Sequence, residues 1–206
     1  MAGVRIAVLG AGNIGGTLGR KWARAGHAVT FGVNDPHGAK AQAVRADLGD
    51  AARIGTAADA LAAGDVVLLA VPGRAMDKTI RANKAQLDGK IVIDAANRMG
   101  EAAVNSLATL RAETPNARTY RAFNTLGWEN FAEPSFDGVA ADLFFCGPDG
   151  ESRATMEQLI ADVGLRPVWL GDNDQIGTVD ALLSLWFTLA VQRGKGRHLA
   201  FKMLTS

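Results

Sequence analysis

Apolar positions along the chain come in two spacings, short unbroken runs and three-to-four-residue periods, and the two kinds alternate almost to the end. Val4, Ile6, Val8 and Leu9 form the first run and predict a buried strand. From Ile14 the apolar positions Ile14, Leu18, Trp22 and Ala25 recur at helical spacing, so the period changes at the intervening glycines. The same alternation continues with a strand over 28–33, an alanine-rich helix over 36–48, a short strand at Arg53 and Ile54, and a small helix from Thr56 to about Gly64. The run from Val66 to Val71 has no polar interruption and predicts a central parallel strand. A helix over 74–86, a strand over 91–94, a helix ending near Arg111 and a strand over 118–123 follow.

Residues 129–138 carry Phe131, Pro134 and Phe136 without period and predict a loop long enough to act as a lid, sealed by Trp128 and Phe136. A strand over 143–147, a helix over 151–163 and a strand over 167–170 complete the alternation. A long apolar helix then begins near Asp172 to Asp174 and runs to about Gln192, where Gly194-Lys195-Gly196 breaks it. Strands alternating with helices predict an α/β fold, a Rossmann-like, doubly wound, mostly parallel sheet. We expect one domain over residues 1–206, with 172–206 as a C-terminal helical portion.

Composition narrows the function classes. Lysine plus arginine (22) nearly balances aspartate plus glutamate (21), so no basic surface for nucleic acid or acidic membrane is indicated. The apolar stretch of the last helix is too short to span a bilayer. The single cysteine, Cys146, has no partner for an internal disulfide, and no cationic leader precedes Val4, which together predict a cytoplasmic protein. The three histidines are scattered without metal-ligand spacing, so no metal site is expected.

The candidate chemistry sits where the first strand meets the first helix, at Gly10-Ala11-Gly12-Asn13-Ile14-Gly15. In this motif the first glycine permits the tight turn, the second admits a pyrophosphate close to backbone, and the third lets helix and strand pack closely. Helix N–H groups then point at the anion. The motif follows a strand and opens a helix, the context a dinucleotide turn requires, and no Walker lysine is present. At the end of the second strand, Val33 and Asn34 occupy the positions that choose between NAD and NADP. Asp35 suits a ribose, Lys40 and His37 suit a 2′-phosphate, and Asn34-Asp35-Pro36 is also a turn and helix-start signal; the choice stays open. Ala70, Val71 and Pro72 reach the carboxyl edge of the sheet, with Arg74 as a candidate phosphate contact and Ala95 as a small residue beside a nicotinamide. Asn124 and Thr125 are candidates for orienting the nicotinamide or its acceptor by hydrogen bonds.

The glycine turn, Val71-Pro72, the segment from Leu143 to Gly150, Gly164-Leu165-Arg166-Pro167 and the closing 194–204 stretch together resemble NADPH-dependent reductases of the deazaflavin coenzyme F420. Phe123-Asn124-Thr125 is similar to a turn in the cytoplasmic reductase domain of transmembrane ferric reductases. The resemblance implies NADP along the carboxyl edge, a deazaflavin or flavin stacked on the nicotinamide as second substrate, and a homodimer. Three positions depart from the family pattern. Val33 and Asn34 replace a serine or threonine followed by arginine, Ala11 replaces a threonine, and Gly73 replaces an aromatic. Hydride transfer to a small-molecule acceptor is the leading expectation, because it needs little side-chain chemistry of its own. A non-catalytic NAD(P)-binding sensor or interaction module is the alternative.

Overall fold

The structure, a computed structural model, describes residues 3–205. Its contacts divide the chain into two compact units, Met1–Thr119 and Tyr120–Ser206. In the first, β1 (Arg5–Leu9), β2 (Ala28–Gly32), β3 (Ala52–Gly55), β4 (Val66–Leu69) and β5 (Ile91–Asp94) alternate with α1 (Asn13–Arg24), α2 (Ala39–Leu48), α3 (Ala57–Ala63), α4 (Met76–Ala82), α5 (Lys84–Leu87) and α6 (Leu107–Glu113). The strand β6 (Arg118–Arg121) lies at the sheet edge, and the boundary between the units falls inside it.

Strand order is β3-β2-β1-β4-β5-β6. The pairings of β1 with β2 and β4, of β2 with β3, and of β4 with β5 are all parallel. This is the doubly wound order, and its direction reverses between β1 and β4. Residues of β4 and β5 are buried throughout, so the unbroken apolar run of β4, and of β5 up to Asp94, follows from helices covering both faces. Leu9, Leu61, Val67, Leu69, Ile80, Val92 and Leu110 share one core cluster.

Local chemistry moves several boundaries away from the sequence pattern. The helix expected from residue 36 begins at Ala39, because Asp35 folds 35–38 into a turn. Its Oδ1 accepts from the His37 N–H at 2.9 Å and its carbonyl from the Gly38 N–H at 3.1 Å. The helix over 74–86 is two helices broken at Asn83, whose side-chain amide donates back to the Thr79 carbonyl at 2.7 Å. The helix expected to end near Arg111 is short, Leu107–Glu113. The buried Asp94 carboxylate accepts from the N–H groups of Ala96 and Ser106 and holds the chain between them as a loop. Thr56 and Asp59 form a reciprocal capping box at the start of α3, as that pair would suggest.

The second unit contains α7 (Glu129–Ala132), β7 (Ser135–Phe136), β8 (Val139–Ala140), β9 (Asp142–Phe145), α8 (Glu151–Val163), β10 (Arg166–Trp169) and α9 (Ile176–Phe187). β9 and β10 are parallel and joined through α8, forming a two-stranded sheet of their own. Residues 129–138 are a single helical turn followed by a hairpin rather than a lid. Asp137 and Gly138 both have positive φ, the signature of a two-residue hairpin turn. Phe136 stacks on His198 at 4.3 Å, and Trp128 is half-buried. The last helix begins at Ile176 after a tighter turn over Asn173–Gln175 and widens into a π-turn over Thr188–Gln192.

The C-terminal stretch is strapped down by one buried carboxylate. Asp142 accepts from Arg166 at 2.7 and 2.6 Å, from the Lys202 ammonium at 3.0 Å and from the Met203 N–H at 2.7 Å. Burial alone would push its carboxyl up, but these four donors outweigh it and hold it at about 2.

Candidate functional site

At the reversal point the chain leaves β1 through Gly10, whose N–H donates to the Gly32 carbonyl at 3.1 Å, while the Ala70 N–H donates to the Leu9 carbonyl at 3.0 Å. Three strand ends therefore meet around one turn. Gly10 has φ +104, and a Cβ there would sit 2.6 Å from the Ala70 carbonyl oxygen. A Cβ on Gly15 would run into the Gly10 carbonyl oxygen, so α1 can lie against the turn only with glycine there. Gly12 differs from both. A Cβ at Gly12 meets no protein atom within 4 Å, so the motif's second glycine faces open space. That space is what a pyrophosphate approaching the backbone would fill.

The opening is a cavity of about 760 Å³ lined by Gly10, Ala11, Gly12, Asn13 and Ile14, by Gly32, Val33, Asn34 and Asp35, by Gly38, Ala39 and Lys40, and by Ala70, Val71 and Pro72. Its volume lies in the range of cofactor sites. α1 begins at Asn13 with no side-chain cap and no acidic residue in its first turn, so its first N–H groups and positive end are left for an anion. Gly38 and Ala39 join the lining because the shifted start of α2 brings them there, and Gly32 joins it as the last residue of β2.

Other candidates lie elsewhere. Gly15 packs behind the turn rather than lining the cavity, and Ala95 is fully buried. Arg74 is exposed and outside the lining. A Cβ on Gly73 would overlap the Asn97 carbonyl oxygen, so the chain after β5 takes up the space in which an aromatic side chain would begin.

Asn124 and Thr125 belong to the second unit, and each is only 1% exposed. Phe123 before them has φ +60, a conformation non-glycine residues seldom adopt, and its ring packs edge-on against Phe131 at 5.7 Å. With its amide turned so that Oδ1 faces the guanidinium, Asn124 accepts from Arg121 at 3.2 and 3.3 Å. Arg121 is itself buried and pairs with Asp180 at 2.9 Å. In this arrangement Asn124 holds a buried charge network and presents little surface to a bound molecule. Cys146 lies in the same unit; burial first, and the Asp180 charge second, push its thiol up to about 12. It is inert as a nucleophile at neutral pH. Among the described residues no cluster of His, Cys, Asp or Glu is placed to hold a metal, and no helix is long and apolar enough to cross a membrane.

A parallel sheet in this order with a glycine turn at its reversal point defines a dinucleotide-binding unit of Rossmann type. Residues 5–98 match the family model described as NADP oxidoreductase, coenzyme F420-dependent, which bears out the family resemblance over that segment. Among solved structures, the chain is similar to a protein of Arthrobacter sp. FB24 provisionally described as an F420-dependent NADP-reductase. Identity is 24%, the TM-score 0.82, and the match covers 98% of this chain and 100% of that one. A hypothetical protein of Sinorhizobium meliloti matches at 25% identity and TM-score 0.68, covering 98% of this chain and 96% of its own. A reductive aminase of Aspergillus terreus, solved with NADPH and ethyl-5-oxohexanoate, matches at 18% identity and TM-score 0.66. That match covers 93% of this chain and 63% of the aminase, so the chain spans less than two thirds of that enzyme.

Proposed function

We propose that the protein is an NADP(H)-dependent oxidoreductase that exchanges a hydride between the nicotinamide and a small planar acceptor, with coenzyme F420, a flavin or an imine as the classes to try. The observation that carries the reading is the open face of Gly12 in a cavity of about 760 Å³, within a segment that matches the NADP-oxidoreductase family model. When bound, the nicotinamide supplies the hydride chemistry. The chain's own contribution is to bind and to orient. N–H groups at the start of α1 meet the pyrophosphate, Gly10 and Gly15 keep strand and helix close enough for them to do so, and Ala70 to Pro72 form the adjoining wall. No side-chain acid or base is required within that set, since positioning donor and acceptor carbons and excluding water carry the step.

The experiment follows nicotinamide absorbance at a fixed NADPH or NADH concentration with coenzyme F420, a simple flavin and a cyclic imine in turn. Oxidation with one pair supports the reading and names the acceptor class. Dinucleotide binding with no oxidation by any of the three favours a non-catalytic sensor instead. A protein that binds neither dinucleotide defeats the proposal.

We also propose a homodimer. On α9, Ala181, Leu182 and Leu185 line an apolar depression with Phe144, Leu170 and Thr178, and Leu185 is 46% exposed. A two-fold axis lets such a stripe cover itself. Light scattering at micromolar concentration should report twice the 21.6 kDa chain mass, and Leu185→Glu should return it to one.

A further inference from the structure

We infer that Arg98 is a positioning residue for the cavity: it clasps the loop between β5 and α6 to α4, and that loop steadies the 70–72 wall against the nicotinamide-bearing half of the dinucleotide. The inference rests on the dinucleotide reading of the cavity. The loop, residues 95–106, leaves the sheet beside β4, the strand that ends in this wall. One buried carboxylate pins both of its ends, since Asp94 accepts from the Ala96 N–H at 3.2 Å and from the Ser106 N–H at 2.7 Å. Within that neck the Arg98 N–H donates to the Val104 carbonyl at 2.9 Å. The chain thus closes on itself as a compact Ω-loop whose tip, 99–103, is exposed.

Arg98 ties the body of the loop to the helices. Its guanidinium lies 3.4 Å from the Asp77 carboxylate on α4, donates to the Asn105 carbonyl at 3.3 Å, and has Glu101 at 4.0 Å. Asp77 is held in turn by α6, whose Thr109 hydroxyl donates to it at 2.7 Å. The Arg98 side chain is only 20% exposed, so this pair is screened less than one in open water. Anchored in this way, the loop lies on the residue that follows the wall. A Cβ on Gly73 would overlap the Asn97 carbonyl oxygen and stand 2.9 Å from the Arg98 Cα. Gly73 opens a 3₁₀ turn, a conformation any residue adopts, so the closeness of the loop and not the backbone requires glycine there. On its other side the wall is bonded to β1, where the Ala70 N–H donates to the Leu9 carbonyl at 3.0 Å. The wall is therefore held between β1 and the loop. In a sheet of this order the adenosine half is taken at the end of β2, and the rest of the dinucleotide crosses the reversal point toward β4. A wall that shifts should be felt by that second half.

The test titrates the intact protein with NADPH, NADH and ADP, the last lacking the nicotinamide half, for the wild type, Arg98→Ala, Gly73→Ala and the double variant. An ion pair of this exposure shifts an equilibrium by up to about fivefold, so Arg98→Ala should weaken the tighter-binding dinucleotide by about threefold or more. ADP should bind as in the wild type, because the β2 side of the cavity is built without the loop. Gly73→Ala lifts the same loop by a wedge and should give the same pattern more strongly. Once the wedge is in place the clasp has nothing left to hold, so the double variant should bind no worse than Gly73→Ala. Equal loss for dinucleotide and ADP in either single variant means a general structural role and overturns the inference. A smaller loss in Arg98→Ala overturns it, and so does a double variant in which the two losses multiply. In each of these cases the wild type still binds dinucleotide and the site reading stands. A wild type that binds neither dinucleotide overturns the site reading together with the role of Arg98.

Discussion

Gly12 and Gly15 stand three residues apart in one motif, and a methyl group added to each has opposite consequences. At Gly12 the backbone is extended, with φ −77 and ψ −165, and the added Cβ touches nothing. Alanine loses a little helix-capping preference there and gains a little by restricting the unfolded chain, two terms of about 0.5–1 kcal/mol and opposite sign. We expect Gly12→Ala to leave the unfolding free energy from urea titration within about 1 kcal/mol of wild type by that balance, and to weaken dinucleotide binding at least tenfold. At Gly15 the new Cβ collides with the Gly10 carbonyl and lies 3.1 Å from the Ala70 side chain. Gly15→Ala should cost about 1–3 kcal/mol as an overpacked contact, and binding falls as a consequence. A Gly12→Ala protein that binds NADPH normally would remove the pyrophosphate from this turn. Arg121 and Asp180 make the complementary case in the second unit, since stability there depends on charge rather than space. Asp180→Ala leaves a guanidinium buried without its carboxylate and should cost about 3–5 kcal/mol. Replacing both by leucine should recover much of that loss, which chemical denaturation of the single and double variants would measure. A double variant no more stable than Asp180→Ala would mean that the pair does not act as a unit.

Elements whose ends are written in side-chain chemistry were legible from the residues, and those whose ends depend on a distant partner were not. α3 starts at a capping box within four residues of chain, and α8 runs over 151–163 as its apolar period indicates. α2 starts later than its residue pattern indicates, and α6 is short, because Asp35 and Asp94 bind backbone N–H groups beyond themselves, and the residue types do not say which N–H a carboxylate will take. The hairpin over Ser135–Ala140 has a legible turn, Asp137-Gly138, although its strands are only two residues each and carry no usable period. The C-terminal strap had no sequence signature, because Asp142 reaches Lys202 and Met203 across sixty residues. Its energetics are nevertheless definite. The folded-state value of about 2 lies below the ordinary 3.8, so the carboxylate's contribution is complete above about pH 4 and is lost as pH falls toward 2. That difference amounts to about 2 kcal/mol. We expect urea midpoints of the wild type to fall between pH 4 and pH 2 more steeply than those of Asp142→Asn, which should already be destabilised at pH 7. Parallel pH profiles for the two proteins would dissociate Asp142 from the acid response.

For the whole molecule, the order β3-β2-β1-β4-β5-β6 follows from a short chain of inference, in which a glycine turn after the first strand identifies β1 and the apolar run of β4 identifies its other central neighbour. The division at Thr119 and Tyr120 has no such marker. It falls inside a strand, with no glycine, proline or polar linker to announce it. The cavity is likewise legible only where strands end, at 10–14, 33–35 and 70–72, since a parallel sheet delivers those ends to one edge. Asn124 and Thr125 also follow a strand, but both are buried, and Asn124 accepts from Arg121. Ligand-linked protection separates the two groups. At a hundredfold excess over its dissociation constant, NADPH should stabilise the unit that binds it by about 2.7 kcal/mol. Amide exchange should then slow most at residues 10–15, 33–40 and 70–72, where the N–H groups line or support the cavity. Slowing confined to residues 120–206 would put the ligand in the second unit and return Asn124 to the binding surface.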